Sequence, residues 1–219
     1  MKGDLIAPDA GPEEVCAAFG VSRESCAKLR IYADELARWS PRVNLVSRRT
    51  LPQLWARHVA DSLQLIPLLG SRTRRIIDLG SGGGAPGLVL ALALAEERDI
   101  HIFLVESVAK KAAFLRSVAQ KAGVRVSVLN ARIEDVDPAA VGCDSHTVVT
   151  ARALAPMPEL VELAAPFLQM GAQGLFLKGQ DVGKELTQAT RYWKIDAEQF
   201  PSRTDSAGTI VRIREIRRV

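Results

Sequence analysis

The run Asp78-Leu79-Gly80-Ser81-Gly82-Gly83-Gly84-Ala85-Pro86-Gly87 constrains this chain more than any other stretch of it. It follows a short apolar segment, Arg75 to Leu79, that reads as a strand. It opens a Leu- and Ala-rich segment, Gly87 to Glu97, that reads as a helix, with Pro86 suited to the first turn. A turn this tight needs residues that tolerate positive φ and admit a ligand close to the backbone. Gly80, Gly82 and Gly84 meet both needs. The motif therefore belongs to an α/β fold in which ligands sit at the carboxyl end of a parallel sheet.

The downstream pattern agrees. Strands are expected at Ile100 to Val105, Val124 to Leu129, His146 to Thr150 and Gly174 to Leu177, with helices at Ala109 to Ala122, Pro158 to Met170 and Lys184 to Arg191. Two final strands, Trp193 to Phe200 and Thr209 to Ile216, have no long helix between them and suggest an antiparallel hairpin at one sheet edge. Before Ser71 no strand signal occurs. A helix capped by Ser22 and ended by Pro41 is expected, then a second over Leu51 to Leu69 with Pro52 in its first turn. The expected division is a helical extension, residues 1–70, and an α/β domain, residues 71–219.

Composition is that of an ordinary globular protein, with 47% hydrophobic and 25% charged residues. No apolar stretch approaches the roughly 20 residues of a membrane span, and Met1 to Gly11 has no signal-peptide core, so a cytoplasmic protein is expected. Cys16, Cys26 and Cys143 lack metal-ligand spacing, and their odd number points to reduced thiols rather than a disulfide framework. No metal is expected. The net charge of +4 is unevenly held: residues 23–75 carry eleven Lys and Arg against four acids, whereas residues 76–202 carry twelve against fifteen. The first segment either is a solvated helical face or attracts a polyanion.

Glu106 ends the second strand, 22 residues after Gly84, where an acid can accept hydrogen bonds from both ribose hydroxyls of an adenosine. Two cofactor classes share this pattern, a dinucleotide and S-adenosylmethionine. Asp78 suits the ammonium and sulfonium groups of the latter and would repel a pyrophosphate at the helix N-terminus.

The chain resembles the bacterial small-subunit rRNA guanine-N7 methyltransferase family, also called glucose-inhibited division protein B. The similarity runs from about Tyr32 to the last strands. It is carried by Trp39 with Asn44-Leu45-Val46-Ser47, by Arg57-His58-Val59-Ala60-Asp61-Ser62, and by the glycine run ending in Pro86-Gly87. Glu106-Ser107, Lys110-Lys111, Phe114-Leu115, Arg132-Ile133-Glu134, Arg152-Ala153 and Lys178-Gly179 complete it. The Arg-His-x-x-Asp-Ser block is the most specific. Ala85 departs from the larger apolar residue usual there, and Glu106 stands where aspartate is frequent.

The resemblance implies a class I S-adenosylmethionine-dependent methyltransferase fold, Rossmann-like, with a mostly parallel seven-stranded sheet, an antiparallel edge hairpin and an N-terminal helical extension. It implies methyl transfer from S-adenosylmethionine, giving S-adenosylhomocysteine, to N7 of a guanine in the decoding-region loop of 16S rRNA. The partner would be that rRNA or the small ribosomal subunit. A class I methyltransferase acting on another RNA or a small molecule is the alternative. Cofactor contacts would fall on Gly80, Ala85, Ile133, Glu134 and Arg152, with Glu106 on the ribose, beside Asp78, Gly82 and Gly84 of the turn. Arg48, Arg49, Arg57, His58 and Lys178 are the candidates for substrate. Arg57 and Asp61, four apart, can instead pair along their helix, and His58 on an apolar helix can be structural. Guanine N7 carries no proton, so no catalytic side chain is expected.

Overall fold

The computed structural model describes residues 5–47, 50–96 and 99–219. Arg48 and Arg49 of the basic segment, and Glu97 at the expected end of the helix after the glycine run, lie outside the described residues.

Seven strands form one sheet: β1 (Arg75–Leu79), β2 (His101–Val105), β3 (Ser127–Leu129), β4 (Thr147–Arg152), β5 (Gln173–Lys178), β6 (Trp193–Pro201) and β7 (Thr209–Arg218). Their spatial order is β3-β2-β1-β4-β5-β7-β6. β1 to β5 pair in parallel, and β7 lies antiparallel between β5 and β6. The expected edge hairpin is therefore present. The order reverses at β1, which has β2 on one side and β4 on the other, and this is where an open α/β sheet leaves a crevice for ligands.

Burial alternates along the strands. Ile76, Val148 and Leu175 face one apolar cluster, and Ile77, Val149 and Phe176 face the other. The first cluster is covered by α1 (Pro12–Ala18), α2 (Arg23–Val43), α4 (Gly87–Leu94) and α5 (Ala109–Ala122), and the second by α6 (Met157–Gln169) and α7 (Val182–Ala189). The N-terminal helices thus share a core with the sheet. Leu29 and Leu36 of α2 are fully buried in it, and truncating either to alanine should cost about 2–5 kcal/mol. α2 starts as expected, with Ser22 accepting a hydrogen bond from the Ser25 amide at 3.1 Å.

Three expectations about this region fail. Pro41 does not end α2. It sits in the last turn, and the helix closes beyond it through Asn44 N–H to the Ser40 carbonyl. The segment Leu51 to Leu69 is not one helix. It is a 3-10 turn (Leu51–Gln53), a π-helix (Trp55–Ala60), the short α3 (Asp61–Leu63) and a second 3-10 turn (Ile66–Leu68). Pro52 and Pro67 sit in the two 3-10 turns, where each lacks the donor an α-helix would use. Cys16 and Cys26 form a disulfide rather than two free thiols. The turn at Gly20 to Ser22 folds α2 back along α1 and brings their Cα atoms to 6.1 Å, within disulfide reach. Cys143 is free and buried. β3 is also shorter than expected, beginning at Ser127 rather than Val124.

Candidate active site

The glycine run forms a loop between β1 and α4, with Gly80, Gly82 and Gly84 all at positive φ. Each glycine has its own reason. A Cβ at Gly80 would meet Leu154 Cδ1 at 2.6 Å, and one at Gly84 would press on Leu88 and the Tyr32 ring. A Cβ at Gly82 would meet only the Gly80 carbonyl, at 3.7 Å, so Gly82 is open above and is demanded by its φ of +50°. Gly87 lets α4 rest on β1: a Cβ there would lie 2.5 Å from Asp78 Cβ and 2.6 Å from Leu104. The loop is tied from outside by Tyr32 Oη, which donates to the Gly83 carbonyl at 2.9 Å.

Above this loop lies a cavity of about 480 Å³, within the range of small-molecule sites. Gly80, Gly82, Ala85, Glu106, Ile133, Glu134 and Arg152 all line it, joined by Leu45, Lys111, Arg132 and Leu154. Two expected cofactor residues do not line it. Asp78 is 1% exposed and lies beneath the loop, and Gly84 is buried against Tyr32 and Leu88.

Glu106 is buried at the end of β2. Its Oε2 accepts from the Gly82 amide at 2.8 Å and its Oε1 from the Val108 amide at 2.7 Å. The carboxylate is thus fixed between the glycine loop and the start of α5. Each oxygen keeps lone-pair capacity toward the cavity. Asn130 Nδ2 donates to the Glu106 and Ser107 carbonyls and holds this loop in place.

Asp78 Oδ1 accepts from Thr150 Oγ1 at 2.7 Å, and Oδ2 is buried without a well-formed hydrogen bond. Burial raises its pKa to about 6, against the opposing pull of Thr150, Ser81, the Gly87 amide and Arg152. A buried, incompletely satisfied carboxyl under the cavity floor favours a cationic occupant above it. A shaped cradle, an acid placed for vicinal hydroxyls and this buried carboxyl fit S-adenosylmethionine. Gly80, Gly82, Ala85, Glu106, Ile133 and Glu134 are the residues that would hold it.

A second cavity of about 500 Å³ adjoins the first. Arg57, His58, Asp61, Lys178, Thr204, Asp205 and Thr209 line it, and Arg152 and Ala153 line both cavities. The Arg57–Asp61 pair that helical spacing allows as an alternative does not form. The π-helix redirects these side chains, so that Arg57 pairs with Asp205 at 3.3 Å and Asp61 with Arg152 at 3.2 Å. Arg152 also donates to the Arg57 carbonyl and to His58 Nδ1. Asp61 further accepts from Gln64 and Thr204. Lys178 pairs with Glu185 at 2.7 Å and donates to the Ala155 carbonyl.

His58 is 6% exposed. Burial first, then the charges of Arg152 and Arg57, lowers its pKa to about 3. It is therefore neutral, with Nδ1 as the acceptor and the proton on Nε2. Ala153 holds a φ of +51°, a conformation that costs an alanine about 1 kcal/mol or more. This strained peptide is the wall between the cavities.

Of the expected substrate residues, Arg57, His58 and Lys178 converge here although 121 positions separate the first and last. Thr204, Asp205 and Thr209, from the β6–β7 loop and β7, join them without being expected. A polar turn between two strands carries no signal that it reaches a distant helix. Among the described residues no group of three or more His, Cys, Asp or Glu is placed to hold a metal, and no helix is long and apolar enough to cross a membrane.

Solved structures with this fold include an O-methyltransferase from Bacillus cereus in complex with SAH, with a TM-score of 0.56, 15% identity, and coverage of 84% of this chain and 90% of that one. A putative O-methyltransferase from Klebsiella pneumoniae matches at 0.52 with 16% identity, over 84% and 90% of the two chains. At such identities the likeness is one of fold. Sequence relatives are much nearer. The ribosomal RNA small subunit methyltransferase G of Paramagnetospirillum magneticum is 50% identical over 208 residues, 95% of this chain and 97% of the relative. That of Rhodopseudomonas palustris (strain BisB5) is 51% identical over 199 residues, 90% and 84% of the two. The profile of the GidB family, described as rRNA small subunit methyltransferase G, matches residues 25–209. Half-identity over nearly the whole length, joined to a family match that spans the glycine loop, Glu106 and the wall between the cavities, makes this chain a member of the GidB family of rRNA small subunit methyltransferases.

Proposed function

We propose that this chain transfers a methyl group from S-adenosylmethionine to N7 of a guanine in the decoding-region loop of 16S rRNA, with 16S rRNA or the small ribosomal subunit as its partner in the cytoplasm. The observation that carries the reading is the pair of cavities meeting at Arg152 and Ala153, one suited to a nucleoside cofactor and the other edged by charged and hydroxyl side chains and large enough for a base. When bound, S-adenosylmethionine supplies an electrophilic methyl group on a sulfonium centre that leaves uncharged.

The chain's own residues then have modest tasks. Guanine N7 presents a free lone pair, so no side chain has to remove a proton. This agrees with a second cavity whose histidine is neutral with a depressed pKa and whose acids are all engaged. What the residues supply is position, which alone can remove several kcal/mol from a barrier. Glu106 and the glycine loop orient the nucleoside, and Arg152, clamped by Asp61, His58 and the Arg57 carbonyl, fixes the wall against which the base would lie. The methylated purine is cationic, and Asp61, Asp205 and Glu185 offset Arg152, Arg57 and Lys178, so no uncompensated positive charge of these three cations opposes it.

The test is to map N7-methylguanine in 16S rRNA from cells with and without this chain, by reduction and aniline cleavage. Loss of one cleavage site without the chain, restored by the parent and not by Gly82→Val, is expected. An unchanged pattern would remove the reading.

A further inference from the structure

Two of the substrate candidates read from the sequence, Arg57 and Lys178, are already neutralised, by Asp205 and Glu185, as Arg152 is by Asp61. Cations able to hold phosphate lie on the opposite flank of the cofactor cavity. Lys111 and Arg132 line that cavity, Lys110 precedes Lys111 in the first turn of α5, and none of the three has an ion-pair partner among the described residues.

Packing adds a fourth. α2 and α5 run antiparallel: Glu35 meets Lys121 at 2.6 Å and the Trp39 ring meets Phe114 with centroids 5.8 Å apart. Continuing that register carries Arg42, at the end of α2, to the level of Lys110 and Lys111. Leu45, three residues later, lines the cofactor cavity, and its carbonyl lies against Gly83. Arg42, Lys110 and Arg132 are exposed, and Arg42 also has no ion-pair partner among the described residues. By contrast Arg38, one turn earlier, spends its charge on Glu35. Glu134 and Asp135 follow Arg132 without pairing to it. The four cations come from three segments, and all of them reach the carboxyl edge of the sheet, where the cofactor cavity opens.

We infer that Arg42, Lys110, Lys111 and Arg132 form the surface that carries the phosphate backbone of the substrate RNA, flanking the cofactor cavity on the side away from Arg57 and Lys178. The inference rests on the rRNA methyltransferase reading. Phosphates bound here would hold the strand on α2 and α5 while the target base lies across the cavities. Such contacts position RNA without reading its sequence.

The experiment uses the full chain with cofactor and a 16S rRNA fragment that contains the decoding-region loop. RNA affinity is measured over a salt series for the parent, for Arg42→Gln with Lys110→Gln, and for Arg72→Gln as control. Arg72 is exposed and precedes β1, at the opposite edge of the sheet. Each phosphate that a variant no longer neutralises should flatten the slope of log affinity against log salt by about 0.7–0.9. The double variant should therefore have a slope shallower by about 1.5 units and bind RNA roughly tenfold more weakly near 0.15 M salt. Its KM for RNA should rise while kcat, cofactor affinity and melting temperature hold. Both exchanged side chains are exposed, so the fold is not at stake, and charge reversal with Lys110→Glu should enlarge the loss. A double variant with the parent's slope, beside a parent that methylates, overturns the surface alone. A parent that binds cofactor but does not methylate 16S rRNA overturns the reading beneath it.

Discussion

The two cavities are built from different materials. The one above the glycine loop has a floor of main chain, from Gly80 to Gly83, and one acid fixed by two amides of its own loops. The other is walled by side chains from four separated segments, tied together by the ion pairs Arg57–Asp205, Asp61–Arg152 and Lys178–Glu185. The positive φ values of that floor are demands on individual residues, so the first cavity depends chiefly on a short motif, steadied by Tyr32 and Glu106. A side-chain network depends on long-range placement, so the second exists only once the sheet, the π-helix and the β6–β7 loop have come together. The first should fail at single glycines, and the second should degrade by degrees.

The largest break is expected at Gly87. A valine there meets Asp78 and Leu104 at distances no real Cβ adopts, so α4 cannot rest on β1. Gly87→Val should lose several kcal/mol of stability, an overpacking cost at the upper end or beyond, and a melting curve would register it directly. Gly82→Val separates ligand from fold. Its side chain finds room but a strained φ, costing about 1–3 kcal/mol, while it projects into the cavity. Calorimetry should show cofactor affinity down at least about a hundredfold, equivalent to about 2.7 kcal/mol, in a chain that still unfolds cooperatively. Unchanged affinity would detach the glycine loop from the cofactor.

Arg152→Gln probes the shared wall. It takes from Asp61 its ion-pair partner and from His58 Nδ1 its donor, while Gln64 and Thr204 still bond Asp61, and the pair is partly exposed, so about 2 kcal/mol of stability should go. Methylation should fall further than cofactor affinity, since the residue borders both cavities. Glu106→Gln should weaken cofactor binding by about 1.5–3 kcal/mol. One of its two loop amides would also face an amide nitrogen instead of an oxygen, so melting must be read beside calorimetry. A parent-like affinity would end the ribose role.

The last tests are in pH, where the effects have opposite sign in the two regions. Asp78 holds its proton to about pH 6 in the fold against 3.8 unfolded, so its burial penalty is absent below about pH 4 and complete above about pH 6. A cationic cofactor favours the ionised form, and its affinity should fall as pH drops through 6, a dependence absent in Asp78→Asn. His58 stays neutral to about pH 3 against 6.5 unfolded. The unfolded chain therefore takes up a proton first, and stability contributed at His58 declines as pH falls below about 6.5. Chemical denaturation from pH 4 to 8 for the parent, Asp78→Asn and His58→Gln resolves the two slopes.

The contrast also explains which features are legible in the sequence. Gly80, Gly82 and Glu106 are legible because positive φ and a strand-end acid are local demands. The same holds for the Ser22 cap and the order of strands and helices after Ser71. Asp78 stands out by its charge, but its place beneath the floor depends on Gly87 seating α4 upon it. Asp61 is spaced as a partner for Arg57, and its true partner, Arg152, is 91 residues away. Nothing in the spacing of Thr204 and Asp205 tells that the β6–β7 loop reaches the π-helix. The helix expected over Leu51 to Leu69 fails because its apolar positions keep helical spacing even where prolines and the π-turn change the hydrogen bonds. Cys16 and Cys26 pair because two helices double back, which a count of cysteines does not reveal.

The most direct measurement is a crystal structure of the chain with S-adenosylhomocysteine. The account predicts the adenosine above Gly80 to Gly83, the ribose hydroxyls on Glu106, the adenine beside Ile133 and Glu134, and the sulfur turned toward Arg152 and Ala153. The ligand bound instead in the cavity of Arg57, Asp61 and Lys178, or with its ribose away from Glu106, would contradict it.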